Sequence, residues 1–332
     1  MRSGLLIAFT LSILLPIATS AQSLGDLGSV SGEAFTLSVS PQYPSPYSQA
    51  TVSLTSGSIE LANTTMTASV GGKETYKGSV RPFSVTLGRT GSISNVKVTV
   101  TSGSASFSQT ISIQTQDVVL VAEPISSSPP LYQGKSQVPI DGNVRIVAVA
   151  NLKDAGGKTS SPAKYSYLWT VDGVRIANSS GIGKSAIIAA SPLQYRSRSV
   201  SVAISSPDGS LVGGASMSLS AEQPYIRIYE NDPLLGIRYE RALSGNYTID
   251  GTESTLYAAP FSISTTGGSP FIRWFLNGAS AQTGNLITLR PTGKGRGTAS
   301  LSLTASANGS ETATTNLSLI FGTKPDTNLF GL

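Results

Sequence analysis

The chain has 332 residues, with 23 lysines and arginines against 18 acids and neither histidine nor cysteine. That composition removes disulfides, Ser-His-Asp and Cys-His catalysis, and the ordinary zinc and haem ligands. Charged residues are only 12% of the chain and gather into no run or basic stripe, so the mildly positive balance argues against nucleic acid as a partner.

The amino end reads as an export signal over residues 1–21. Met1-Arg2 is a short basic start and Leu5 to Ala18 is a nearly unbroken apolar run. Thr19-Ser20-Ala21 supplies the small residues of a cleavage site, which makes Gln22 the first mature residue. Kept in place the same run would be an anchor, but it falls short of the ~20 residues a membrane span needs. Removing Arg2 leaves 22 basic and 18 acidic residues, a net charge of +4. Residues 22–33 read as a linker, and residues 324–332 as a tail with neither apolar anchor nor basic stop. The expected product is exported to the cell surface, the extracellular space or the periplasm, with no transmembrane span after cleavage. Without cysteine, each module must hold itself by apolar burial, which a sandwich of about 100 residues can do.

From residue 34 onward the pattern is strand-like. Serine and threonine make up about a quarter of the chain and alternate with Val, Ile and Leu, as in antiparallel sheets with one wet face. The first module, residues 34–115, begins at Phe35 to Val39, is interrupted by Pro41, Pro44 and Pro46, and resumes at Ala50 to Leu54. It closes with Val96, Val98 and Val100, a turn at Ser102-Gly103-Ser104, and a return through Ala105, Phe107, Ile111 and Ile113. The second, residues 116–222, closes with Val200, Val202 and Ile204, a turn at Ser206 to Gly209, then Met217 and Leu219. The third, residues 223–323, closes with Ala299, Leu301 and Leu303, a turn at Asn308-Gly309, then Leu317, Leu319 and Phe321. Modules two and three also start alike. Val118 to Pro124 precedes Leu131-Tyr132-Gln133-Gly134, and Ile226 to Pro233 precedes Leu234-Leu235-Gly236. Helical periodicity of useful length is missing outside the signal, so the class is all-β.

The repeat is anchored by Tyr165 to Gly173, YSYLWTVDG, whose core returns as Ile272 to Gly278, IRWFLNG. Each copy holds one of the two tryptophans. Trp169 with Val171, and Trp274 with Leu276, fall on one face of an extended strand, and Asp172-Gly173 and Asn277-Gly278 supply the positive-φ positions of a tight hairpin. A large aromatic in mid-strand marks a sandwich core. In the first module Ala68-Ser69-Val70-Gly71-Gly72 occupies the same place, with alanine for tryptophan; that substitution and the three prolines predict the least stable module.

Together the Trp-x-Val-Asp-Gly and Trp-x-Leu-Asn-Gly motifs and the paired closing strands resemble the Ig-like and PKD-like repeats strung in tandem in bacterial surface and envelope proteins. The resemblance implies three Ig-like β-sandwiches after an export signal. It further implies a spacer, adhesive or assembly role with other envelope or surface proteins as partners and no catalytic residues to carry over. PKD repeats usually have a longer acidic turn after the tryptophan than the two residues present here.

Candidate chemistry is sparse. Asn178 to Ser185 approaches a phosphate-binding loop, but Asn178 stands where the first glycine belongs and the following apolar run, ended by Pro192, is not a helix. Glu230-Asn231-Asp232-Pro233 at a module junction offers oxygens for calcium, against the simpler reading that Asp232 caps its own turn. Asp154, Asp172 and Asp208 read as isolated turn acids rather than a carboxylate pair. The expectation is therefore no enzyme, with no catalytic, cofactor or metal residues. Five Asn-x-Ser/Thr sequons, at Asn63, Asn178, Asn246, Asn308 and Asn316, are not in excess of chance in so Ser/Thr-rich a chain. Arg196-Ser197-Arg198 and Arg238 to Arg241 read as wet strand faces and edges. Glycans remain an alternative partner, with Tyr43 and Tyr47 the best aromatic candidates once both tryptophans are assigned to cores. A third reading, an accessory component of a pilus or secretion apparatus, would use open sheet edges.

Overall fold

The structure is a computed structural model and describes residues 34–130, 132–292, 295–307 and 311–322. The signal at 1–21, the linker at 22–33, Leu131, the Asn308-Gly309 turn and the tail at 324–332 lie outside the described residues.

The chain is all-β, three Ig-like sandwiches in tandem, and one strand order recurs. In the first module β1 (Thr36–Ser40), β2 (Gln49–Thr55), β3 (Thr65–Val70), β4 (Lys73–Ser79), β5 (Phe83–Thr86), β6 (Ile93–Ser102) and β7 (Ala105–Gln114) form sheets β1-β2-β5 and β4-β3-β6-β7. The second module has β8 (Asp117–Pro124), β9 (Asn143–Asn151), β10 (Ser166–Val171), β11 (Val174–Arg175), β12 (Gly181–Ile182), β13 (Ala186–Ala190), β14 (Ser197–Ser205) and β15 (Val212–Ser220). Its sheets are β13-β9-β8 and β11-β10-β14-β15, with β12 also on β10. The third module has β16 (Tyr225–Asp232), β17 (Gly236–Ile237), β18 (Gly245–Ile249), β19 (Ser254–Phe261), β20 (Phe271–Leu276), β21 (Ala279–Thr283), β22 (Leu286–Leu289), β23 (Gly297–Ala307) and β24 (Glu311–Phe321). Here the sheets are β17-β16-β19-β22 and β18-β24-β23-β20-β21. In every module the first, second and fifth strands of the shared plan pair as one sheet, and the fourth, third, sixth and seventh as the other.

Alternation explains the layers. Trp169 is paired with Val202 and Trp274 with Leu303, and all four are buried. Asp172 and Gly173 have φ of 49° and 80°, Asn277 and Gly278 48° and 81°, so both hairpins close through a two-residue turn with two left-handed positions, which Asp-Gly and Asn-Gly tolerate best. Gly71 and Gly72 repeat these angles, at 57° and 84°, and Ala68 is buried opposite Val98. A β-bulge follows Ala68 as it follows Trp274. The alignment of Ala68 with the tryptophans therefore holds. Phe107, expected on the inward face of its returning strand, is exposed.

Two compact units emerge from the contacts. Of the described residues, one holds Val52–Phe83, Ser94–Ile113 and residues 34–38; the other holds Val39–Thr51, Ser84–Ile93 and those from Gln114 to Gly322. Within the larger unit, the second and third modules have separate cores, built around Trp169 and around Trp274.

Candidate interaction surfaces

The turn acids act locally. Asp172 Oδ1 accepts the Ser199 N–H at 2.9 Å and its other oxygen meets Arg198 at 3.0 Å. Asp154 Oδ1 accepts the Lys158 N–H at 2.8 Å. Asp208 accepts the hydroxyls of Ser206 and Ser210 and the Ser210 N–H, bonds that hold its pKa down at about 2. Asp232 Oδ1 accepts the N–H groups of Leu234 and Leu235 at 2.8 and 2.9 Å, and these bonds lower its pKa. Its lone pairs serve the β16–β17 turn, as the simpler sequence reading had it.

The loop that approaches a phosphate-binding sequence is the seat of Trp169. The Trp169 indole N–H donates to the Lys184 carbonyl at 2.8 Å, Gly183 N–H donates to the Tyr165 carbonyl, and Lys184 Nζ donates to the Asn178 carbonyl. The matching carbonyl for Trp274 belongs to Gly284, also at 2.8 Å. Each buried indole thus has its one donor satisfied.

Two joints in the larger unit are held by buried polar groups. At the first, Gln116 is buried and its amide bonds both ways to Lys153, donating to the carbonyl and accepting the N–H, each at 2.8 Å. Beside it Thr115 Oγ1 donates to the Arg89 carbonyl at 2.6 Å, and an Arg89 guanidinium N–H reaches the Ala155 carbonyl. Tyr43 belongs here too. It lies half-buried against Gly214, where any Cβ would overlap its ring, and burial raises its pKa. Tyr43 is therefore not a free sugar platform, whereas Tyr47 is exposed.

The second joint lies between modules two and three. Residues Ile125 to Ser127, just past β8, run antiparallel to Ile263 to Thr265, just past β19, with Ser127 N–H donating to the Ile263 carbonyl at 2.7 Å and Thr265 N–H to the Ile125 carbonyl at 3.1 Å. Ser262 is buried with φ of 57° and donates its hydroxyl to the Glu222 carbonyl. Glu311, at the start of β24, is 4% exposed. One of its carboxyl oxygens accepts the Asp141 N–H of module two at 2.8 Å, and the other the Ser264 N–H of module three at 2.6 Å. A single buried carboxyl group thereby ties both modules through their main chains, where position rather than side-chain identity is read.

Next to this joint is a cluster that sequence reasoning missed. On β16, Ile226 and Ile228 face the core while Tyr225, Arg227 and Tyr229 face outward; on β19 the outward residues paired with them are Phe261, Ala259 and Tyr257. Tyr225 stacks on Phe261 at 4.8 Å, Tyr132 meets Phe261 edge-on at 5.3 Å, and the Arg227 guanidinium sits over both Tyr225 and Phe261. Tyr239, which follows β17, folds back onto Tyr229 at 5.2 Å and Tyr257 at 6.3 Å. Burial, with Tyr257 beside it, pushes its pKa up to about 12. The stretch Arg238 to Arg241 is thus not simply a wet edge. Arg238 pairs with Glu240, but Tyr239 between them is part of an outer apolar layer. Past the Asp232 turn, Leu234 and Leu235 stand exposed.

Among the described residues no helix is long and apolar enough to cross a membrane. No protein-family model and no curated protein matches the sequence. Solved structures similar to the chain include the three N-terminal domains of the bacteriophage RB49 highly immunogenic outer capsid protein, at 14% identity over 88% of this chain and 100% of that one, with a TM-score of 0.23. The central fibronectin-III array of RIM-binding protein is 10% identical, covers 91% of this chain and 100% of its own, and scores 0.30. A Bacteroides ovatus protein of a mixed-linkage glucan utilization locus, SGBP-B in complex with a mixed-linkage heptasaccharide, is 14% identical over 90% of this chain and 77% of that one, at 0.22. Scores of this size assign neither a family nor a function.

Proposed function

We propose that the chain is a non-enzymatic, exported envelope or surface protein whose Ig-like modules, with boundaries near residues 115 and 222, act as a spacer that holds binding surfaces at set positions for adhesion or assembly. The observation that carries this reading is the joint between modules two and three. A flexible linker would leave the modules free, whereas here main-chain pairing at Ser127 and Ile263 and the buried Glu311 carboxyl fasten them. Composition supports the absence of catalysis, since no histidine or cysteine is present and Asp154, Asp172, Asp208 and Asp232 are engaged in turns.

The cysteine-free chain suits a direct test. Spin labels at Lys164→Cys and Gln282→Cys, both exposed, report the distance between modules two and three. A narrow distance distribution is expected in the wild type, and a broad one would overturn the spacer reading. Glu311→Gln is expected to broaden it, because an amide NH2 then faces an N–H donor. The lost and unsatisfied hydrogen bonds should cost about 1–3 kcal/mol of stability, read from denaturant melts.

A further inference from the structure

The outward face of the five-stranded sheet in module three belongs to neither joint. Leu301, Leu303, Leu317 and Leu319 are buried in the core, so the residues between them face out. Register sets Asn246, Ser318 and Ser300 side by side across β18, β24 and β23. Asn277, in the β20–β21 turn, completes the row, its Oδ1 accepting the Ser300 N–H at 2.9 Å. With Thr298 and Asn316 they line an open groove of about 610 Å³ in which no lining residue is charged. In the adjoining row Asn316 and Ser302 lead to Phe275 on β20, and Phe271, exposed under the Arg273 guanidinium, shares that strand face.

Three features define what this surface suits. Asparagine is depleted in strands, yet Asn246 and Asn316 sit in paired strands, and among the described residues their amides bond to no protein group. Each amide offers two donors and an acceptor, and each hydroxyl one donor and two lone pairs, which matches a neutral partner rich in hydroxyls better than an ionic or apolar one. The groove is open, whereas small-molecule sites bury most of their ligand. An extended peptide, for its part, adds at a sheet edge rather than lying across a face. The four-residue row spans about 14 Å at ~4.8 Å per strand, enough for successive rings of a polymer, with Phe275 and Phe271 offering aromatic faces alongside. We propose that this face of module three binds a neutral glycan chain laid across β18, β24, β23 and the β20–β21 turn. This goes beyond the spacer reading and does not depend on it.

Native affinity electrophoresis of residues 22–332 through gels holding soluble glucan, mannan, xylan or, as an acidic control, polygalacturonate tests the site. Retardation by at least one neutral polymer is expected, weakened at least about tenfold in the Asn246→Ala/Asn316→Ala double variant and blocked by Ser318→Trp, with far-UV circular dichroism unchanged. Tyr47→Ala and Glu311→Gln should bind as the wild type does, which separates this site from the joint. The proposal is overturned if no neutral polymer retards the protein, if only polygalacturonate does, or if retardation survives both the double variant and Ser318→Trp.

Discussion

At the scale of single residues, the paired tryptophans show how a motif of five residues organises about a hundred. Trp169 and Trp274 are fully buried, and each donates its indole N–H to a carbonyl that lies past the following hairpin strand or loop. Truncation to alanine removes the ring and leaves that carbonyl without its donor, so Trp169→Ala or Trp274→Ala should cost about 3–5 kcal/mol in denaturant melts. The folded protein should show blue-shifted tryptophan emission that acrylamide quenches poorly. Emission at the wavelength of exposed indole would contradict the buried assignment.

Among the elements, β16 stands out because both of its faces are covered. Ile226 and Ile228 enter the sandwich core, Tyr225 and Tyr229 the outer layer closed by Tyr239 and Tyr132. The outer layer has a pH signature. Tyr239 has a folded pKa raised to about 12, above the ordinary tyrosine value of about 10, so the neutral phenol is favoured in the fold. Its contribution to stability is full below pH ~10 and is lost as pH rises through the folded value. Absorbance at alkaline pH should show a late-titrating tyrosine that vanishes in Tyr239→Phe. The two-sided character of β16 was legible in Tyr225-Ile226-Arg227-Ile228-Tyr229, where isoleucines alternate with two tyrosines that flank an arginine able to lie over aromatic rings; reading strands as dry on one side only hid it. The Trp-Asp-Gly hairpins were legible because period and turn chemistry are local. Glu311 was not, since its partner Asp141 is 170 residues away and nothing near Glu311 in the sequence marks it as buried.

At the scale of the whole chain, the joint between modules two and three makes each of them incomplete without the other. In module two, the Ser127 N–H and hydroxyl and the carbonyls of Ile125, Ser127 and Val138 pair with Ser262, Ile263 and Thr265 of module three, and the Asp141 N–H with Glu311. A ribosome delivers module two first, and β24, which carries Glu311, is the last strand described. The Asp141 N–H must therefore wait for the carboxyl group that accepts it until β24 has been synthesised. In pulse-labelled hydrogen exchange during refolding, Ser127 and Asp141 should gain protection after Trp169 has been buried, and in step with β24. An arrest of synthesis before residue 311 would leave a folded second module with an unfinished flank, a natural point of attack for quality-control proteases.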